Sequence, residues 1–419
     1  MKIAIISIVF PFPIDSGGSA GTFNLIEHAR KSHDITFFCP NVPENRKEGL
    51  QKLWPNVEII TTEPNKPESF SLKLFKKALS LKQWFTNSTP DYFYPKTHLA
   101  INDLSRCHYP GFLELVQEHL MQGQFDLIQV EYIEFAAFAH VLPPKTPKVF
   151  IHHELRYRRL EMEYATLKHK TQNDLLHIRA TKDLEIALLN HYDKVVTVSE
   201  QDKLNLIEAG VKADKITASP SPISIKMKAI NQPFEFKNKL VFLGPEAHYP
   251  NLDAVNWFLE TAWPQIHAKH PELTFQIVSK WSEEFKSLQS DKPNVEFLGF
   301  VEDLSTVFDG AILVVPLRIV SGMRMKILEG ISWRVPIVST SDGAEGLPMK
   351  DGVNCMIAND PDTFVQKVNA LIESPELANR LLENSQEVTL KQYNFEHCGE
   401  VRNAIYSSIK EENLINASC

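Results

Sequence analysis

Short, nearly continuous apolar runs rich in β-branched residues alternate along this chain with longer stretches whose apolar positions recur at helical spacing. The runs fall at residues 2–9, 34–38, 57–61, 125–130, 149–152 and 194–198. Strands of this kind, without in–out alternation, bury both faces, and the helical stretches between them supply crossovers for a parallel sheet. From residue 219 the text changes to SPSPISIKMKAINQPFEF, which is punctuated by proline and has no helical period. It reads as an interdomain linker. A second alternation follows, with runs at 239–243, 273–278, 295–298, 310–315, 335–340 and 354–358 and a helix from about Asn251. The pattern predicts an α/β chain of two doubly wound parallel-sheet domains facing a cleft. They cover residues 1–220 and 239–390, joined by a linker at 221–238 and followed by a helical tail at 391–419.

One segment, about 64–123, interrupts the rhythm and reads as an insertion in the first domain. It contains LKLFKKALSLKQW at 72–84, a helical pattern with Lys73, Lys76, Lys77 and Lys82 set among Phe75, Leu79 and Trp84. Such a helix suits an anionic membrane surface, and equally suits a domain helix with one solvated basic side.

Length and composition narrow the classes. A chain of 419 residues with 43% hydrophobic residues can bury two cores, and a formal net charge of −8 with a pI near 6.0 argues against a broad nucleic-acid face. Cys39, Cys107, Cys355, Cys398 and Cys419 are odd in number and scattered, with neither metal-ligand nor disulfide-framework spacing. A reducing cytoplasm is the expected compartment, with the inner membrane face an extension of that reading if the basic helix meets lipid. The amino terminus reads as a first strand rather than a leader, and no stretch approaches the roughly 18 apolar residues of a membrane span.

The segment PLRIVSGMRMKILE at 316–329 carries the sharpest chemistry. The strand at 311–316 runs through a turn at Ser321 and Gly322 into a helix expected from Met323. The first amides of that helix lack backbone acceptors and favour an anion such as a diphosphate. Glu329 follows Gly322 by seven residues, so on a continuous helix it returns to nearly the same face about 10 Å along the axis, where a carboxylate can accept ribose hydroxyls. By itself the pattern also fits an ordinary strand–turn–helix unit with a solvated glutamate. At the amino end, IDSGGSAG at 14–21 supplies Gly17 and Gly18, whose missing Cβ atoms let amides approach a phosphate or sugar. The strand KVFIHHE at 148–154 ends in two histidines and a glutamate at the sheet edge where open α/β folds bind ligands.

Taken in order, these segments resemble the GT-B glycosyltransferases and, within them, the retaining family 4 enzymes. The resemblance also rests on DKVVTVSEQD at 193–202, LGPEAHYPNLD at 243–253, FLGFVEDL at 297–304 and PIVSTSDGAEGLP at 336–348. It implies two Rossmann-like domains, with the carboxyl-terminal helix crossing back to the first. It further implies a nucleotide-diphosphate sugar as donor, a glycan or lipid-linked hydroxyl acceptor, retention at the anomeric carbon, and no metal or other cofactor. Donor contacts are expected from Gly17, Gly18, Gly244, Lys280, Phe300, Ser321, Gly322, Met323, Lys326 and Glu329. The resemblance places His153 near the donor sugar, with His152 the alternative if the register moves by one, and Arg324 on the leaving diphosphate. Glu131 and Arg156 are expected at the acceptor. Two departures stand out: Ser321 occupies the place of a family glutamate, and residues 244–252 contain no arginine or lysine to clamp the diphosphate. Arg324, Lys326, Arg318 and Lys280 are the cations that stand to replace it. A GT-B epimerase and a catalytically silent nucleotide-sugar binder are the competing classes.

Overall fold

The computed structural model describes residues 1–14, 17–64, 104–167, 169–222 and 233–418. The first domain is a seven-stranded sheet, β1 (Lys2–Ile6), β2 (Asp34–Cys39), β3 (Val57–Thr61), β4 (Leu127–Glu131), β5 (Lys148–His152), β6 (Lys194–Thr197) and β7 (Ile216–Ala218). Its order is β3-β2-β1-β4-β5-β6-β7, with every pairing parallel. The helices on it are α1 (Gly17–Ala29), α2 (Glu44–Leu53), α3 (Phe112–Gln122), α4 (Arg156–Thr166), α5 (Gln172–Leu189) and α6 (Glu200–Ala209).

The second sheet has six parallel strands, β8 (Lys239–Leu243), β9 (Thr274–Val278), β10 (Val295–Gly299), β11 (Ala311–Val315), β12 (Ile337–Ser339) and β13 (Met356–Ile357). They lie in the order β10-β9-β8-β11-β12-β13. Its helices are α7 (Tyr249–Trp257), continuing through a π-helical turn into α8 (Trp263–Lys269), then α9 (Glu283–Leu288), α10 (Ser305–Phe308), α11 (Met325–Ser332), α12 (Ser341–Ala344), α13 (Pro361–Glu373) and α14 (Pro375–Tyr393). Strand order reverses between β1 and β4 in one sheet and between β8 and β11 in the other. Ligands of open α/β sheets bind beyond the carboxyl ends of strands at such points.

Alternation explains how each sheet is covered. Ile3 and Ile5 of β1 join the core beneath α1 with Ile26, while Ala4 and Ile6 point to the opposite face with Phe112 and Val116 of α3. That burial concerns only the end of the 64–123 segment, from Leu104 on, since residues 65–103 lie outside the described residues. Leu104, Phe112, Val116 and Leu120 belong to the first-domain core, and α3 serves as the crossover into β4. The basic stretch at 72–84 lies outside the described residues. Ser199 caps α6, its side chain accepting from the Asp202 amide, as a serine before a helix should.

The last helix, α15 (Phe395–Ser418), leaves the second domain and returns to the first. Tyr393, at the end of α14, is in the second-domain core, whereas Tyr406 and Ile409 are in the core beneath α1. The crossing is close at Gly399: a Cβ there would stand 2.0 Å from His28 Cγ on α1. His28 is itself edge-on to Phe395, at 5.5 Å between ring centroids. Gly399→Ala is therefore expected to displace His28 and cost about 1–3 kcal/mol, the usual range for an overpacked contact, read as a lowered denaturation midpoint. An unchanged midpoint would show that α15 is not seated on α1 as described.

Candidate active site in the interdomain cleft

On the first-domain side, β5 ends in His152, whose buried ring meets Glu185 Oε1 at 2.8 Å. The same carboxylate accepts the amides of Arg156 (3.1 Å) and Tyr157 (3.0 Å), so a residue from α5 caps the start of α4. The turn between β5 and α4 is thereby fixed, and it carries His153 and Glu154. His153 stacks on Tyr132, with ring centroids 4.1 Å apart and planes 14° apart, and its Nε2 lies 3.4 Å from Glu131 Oε2. Tyr132 holds a left-handed φ of +69°, a conformation that costs a non-glycine residue energy and recurs where a side chain must be aimed.

Glu131, expected at the acceptor, is only 3% exposed. Gln129 Nε2 donates to its Oε1 at 2.6 Å and Thr22 Oγ1 donates to its Oε2 at 3.4 Å. Burial works to raise its carboxyl, but His153, Arg402 and Gln129 outweigh that and hold it below the ordinary carboxylate range. The structure turns it toward His153. Arg156, also expected at the acceptor, is spent on Glu134 at 2.5 Å and lies 3.8 Å from Glu154. Glu154 is held well below the usual range despite its burial by Arg159, His248 and Arg156.

On the second-domain side, Gly244 follows β8 with φ +149°, and a Cβ there would lie 2.6 Å from the Asn251 side chain. Asn251 donates to the Pro245 carbonyl (2.9 Å) and accepts from Lys326 Nζ (2.7 Å). Lys326 also sits 4.3 Å from the centroid of the Phe242 ring. Among the described residues no carboxylate pairs with it, and burial pushes its ammonium down to about 7. The other cations are engaged or remote. Arg318 forks onto Asp253 (2.5 and 3.1 Å), and Lys280 is exposed beyond β9. Arg324 is buried, donating to the carbonyls of Gly322 and Asp342 and to Glu345 Oε2 at 3.0 Å. Glu345 takes Arg158 from the first domain on its other oxygen, at 2.5 Å. Arg324 thus braces the domain seam. Phe300 is half exposed past β10, and Met323 is half buried.

Helix α11 starts at Met325, two residues later than expected, because Gly322 is left-handed at φ +72° and Arg324 is non-helical at ψ 69°. The Met325 amide takes the Met323 carbonyl at 3.0 Å. Glu329 consequently lies one turn into the helix, about 6 Å along its axis from Met325. Trp333 Nε1 donates to its Oε1 at 2.8 Å.

The two halves meet in the same place. A Cβ on Gly17, the first residue of α1, would stand 2.9 Å from Met325 Cβ, and one on Gly322 would stand 2.0 Å from the His153 carbonyl oxygen. Ser321 Oγ donates to the Leu155 carbonyl at 3.1 Å. Gly17 and Gly18 open α1. Glu345 and Asn251 were given no role from sequence although they lie within quoted motifs; only Asn251, in the loop segment that follows Gly244, offered a local signal. Among the described residues no cluster of three histidine, cysteine, aspartate or glutamate side chains could hold a metal ion. No described helix is long and apolar enough to cross a membrane.

Comparison with known proteins identifies the architecture. The family model described as Glycosyltransferase Family 4 matches residues 16–226, and that described as Glycosyl transferases group 1 matches residues 237–374. The chain belongs to glycosyltransferase family 4. An uncharacterised 44.6 kDa protein in the cps region of Klebsiella pneumoniae is 25% identical over 234 residues, 53% of this family 4 chain and 58% of that relative. Two solved structures share the GT-B fold with it. HepE of Anabaena, in complex with UDP and glucose, gives a TM-score of 0.65 at 14% identity, covering 97% of this chain and 100% of that one. Sucrose-phosphate synthase from Thermosynechococcus elongatus gives 0.70 at 14% identity, covering 97% and 98%.

Gly322→Ala tests the meeting of the halves in this family 4 protein. The left-handed backbone alone costs an alanine about 1–2 kcal/mol, and its methyl enters the His153 carbonyl. The variant is expected to lose stability and to show a larger radius of gyration by small-angle scattering. An unchanged scattering curve and midpoint would contradict the close seam.

Proposed function

We propose that this protein transfers a glycosyl unit from a nucleoside-diphosphate sugar to a hydroxyl group of a glycan or lipid-linked acceptor, with retention at the anomeric carbon, in synthesis of a surface polysaccharide or glycolipid. One observation carries the reading: the start of α1, the start of α11 with Lys326, and the Glu131-backed His153 converge at the domain seam. Family membership, the solved HepE complexes with UDP, glucose and UDP-glucose, and the cps-region relative support it.

Breaking the bond between the sugar and the diphosphate leaves negative charge on the distal phosphate. The starts of α1 and α11 meet at Gly17 and Met325, a helix start is equivalent to about half a positive charge, and Lys326 adds a full charge when protonated, so the seam is suited to that oxygen. The proposal routes charge stabilisation through these groups rather than a metal. Glu329, fixed by Trp333, is the group for the ribose hydroxyls, and the half-exposed Phe300 ring is a platform for the base. His153, delivered from the first domain, meets the sugar as the domains close, and closure keeps water from the donor. Attack by the acceptor on the same face as the leaving phosphate preserves the anomeric configuration without a protein nucleophile. The epimerase reading needs a free acid–base carboxylate pair at the sugar. The nearby carboxylates Glu131 and Glu154 are instead tied to His153 and to Arg159 and Arg156.

The test begins with UDP-, GDP-, ADP- and dTDP-sugars and an acceptor panel, following nucleotide release and the product's anomeric configuration by NMR. Transfer with retention supports the reading; binding without turnover across the panel overturns it in favour of a silent binder. A second test uses Lys326. Its ammonium titrates near 7 in the free protein, so near pH 8 it is mostly neutral. A bound diphosphate favours the charged form and raises that value, so binding takes up a proton between about pH 7 and the ordinary lysine range and weakens as pH rises through that window. Calorimetry of nucleotide binding in buffers of different ionisation enthalpy should show this uptake, and Lys326→Met should abolish it and weaken binding roughly tenfold. Equal proton uptake in the variant would remove Lys326 from the diphosphate.

A further inference from the structure

A line of buried polar side chains runs from the carboxyl-terminal helix to His153. Tyr406 of α15 donates its hydroxyl to Gln129 Oε1 at 2.6 Å, and Gln129 Nε2 donates to Glu131 Oε1 at 2.6 Å. Glu131 Oε2 faces His153 Nε2 at 3.4 Å. Tyr406, Gln129 and Glu131 are all buried. The direction of the line follows from chemistry. An ionised carboxylate only accepts, so the amide nitrogen of Gln129 must face Glu131, which leaves its oxygen to a donor, and Tyr406 is that donor. With Oε1 of Glu131 tied to Gln129, the carboxylate plane cannot rotate freely, and Oε2 is held against His153. At 3.4 Å from Nε2, that oxygen favours a ring turned with this nitrogen and its proton toward the carboxylate.

The element that supplies Tyr406 gives the line its meaning. Helix α15 leaves the second domain after Tyr393 and is seated on the first by Gly399 against His28, by Arg402 Nε donating to Ser219 Oγ at 3.1 Å, and by Tyr406 itself. Arg402 lies one turn before Tyr406, and its buried positive charge also favours the Glu131 carboxylate. We propose that Tyr406, acting through Gln129 and Glu131, is a positioning residue for His153, so that the seating of the carboxyl-terminal helix on the first domain is a condition for an oriented His153. The proposal deepens the glycosyltransferase reading and rests on His153 meeting the donor sugar.

The experiment uses the full chain with Tyr406→Phe and, because it leaves α15 untouched, Gln129→Met. Long-range 1H–15N correlation spectra of 15N-histidine protein report the tautomer of His153, assigned among the 15 histidines by His153→Gln. Both variants should mix the His153 tautomers, leave UDP affinity unchanged, and lower kcat about fivefold with KM for the donor little altered. An unmoved His153 signal in both variants overturns the proposal. So does a loss of kcat that merely tracks a falling denaturation midpoint, which would mark a packing role. The spectroscopic arm needs no turnover. If the wild-type chain transfers no sugar, a His153 response still upholds the relay while the catalytic reading falls.

Discussion

The close approach of two backbones at Gly322 sets the geometry of everything in the cleft. The turn after β11 puts this glycine where even a methyl group would overlap the His153 carbonyl, and its left-handed φ is what permits the contact. Flanking interactions depend on the same apposition. Ser321 reaches the Leu155 carbonyl, Arg158 reaches Glu345, and Gly17 meets Met325 across the seam. Because Glu345 also takes Arg324, the two domains share a half-buried carboxylate with an arginine from each side. Such an arrangement is costly if any one member is removed, so it defines a particular closed geometry more than it adds net stability.

Charge bookkeeping along this seam separates bracing groups from groups left for a ligand. Arg324, Arg318 and Arg156 each have a carboxylate partner, and Lys326 has an amide oxygen and an aromatic face instead. A half-buried amine without a counter-charge is driven toward neutrality, and an arriving phosphate reverses that. Glu131 is the mirror case, a buried carboxylate kept ionised by the histidine it orients.

Much of the fold was legible because its signals are local. The uninterrupted apolar run of β11 and its counterparts announce strands buried on both faces, and the proline-rich text after β7 announces the boundary between sheets. Helix α11 was misplaced by two residues because Met323 and Arg324 are good helix formers, while the left-handed Gly322 and the demand of Arg324 for buried carbonyls override propensity. The partners of Arg324, Arg156 and Glu131 were not legible for a related reason. A sequence displays a charge but not its partner, and Glu345, Glu134 and His153 become partners only when distant strand ends are brought together. The relay through Tyr406 was invisible in the same way, since it joins positions 277 residues apart. His153, one residue past an apolar strand, could be singled out because the sheet edge is where such a residue must emerge.

On the proposed function, one cleft, closed at Gly322, holds the donor between the two helix starts and His153. A crystal structure with an unreactive nucleotide-sugar analogue tests it most directly. The expected complex has the diphosphate within hydrogen-bonding distance of the first turn of α1 and of Lys326 Nζ, the ribose on Glu329, and the sugar against His153. A nucleotide bound elsewhere, or in this cleft with its sugar directed away from His153, would contradict it.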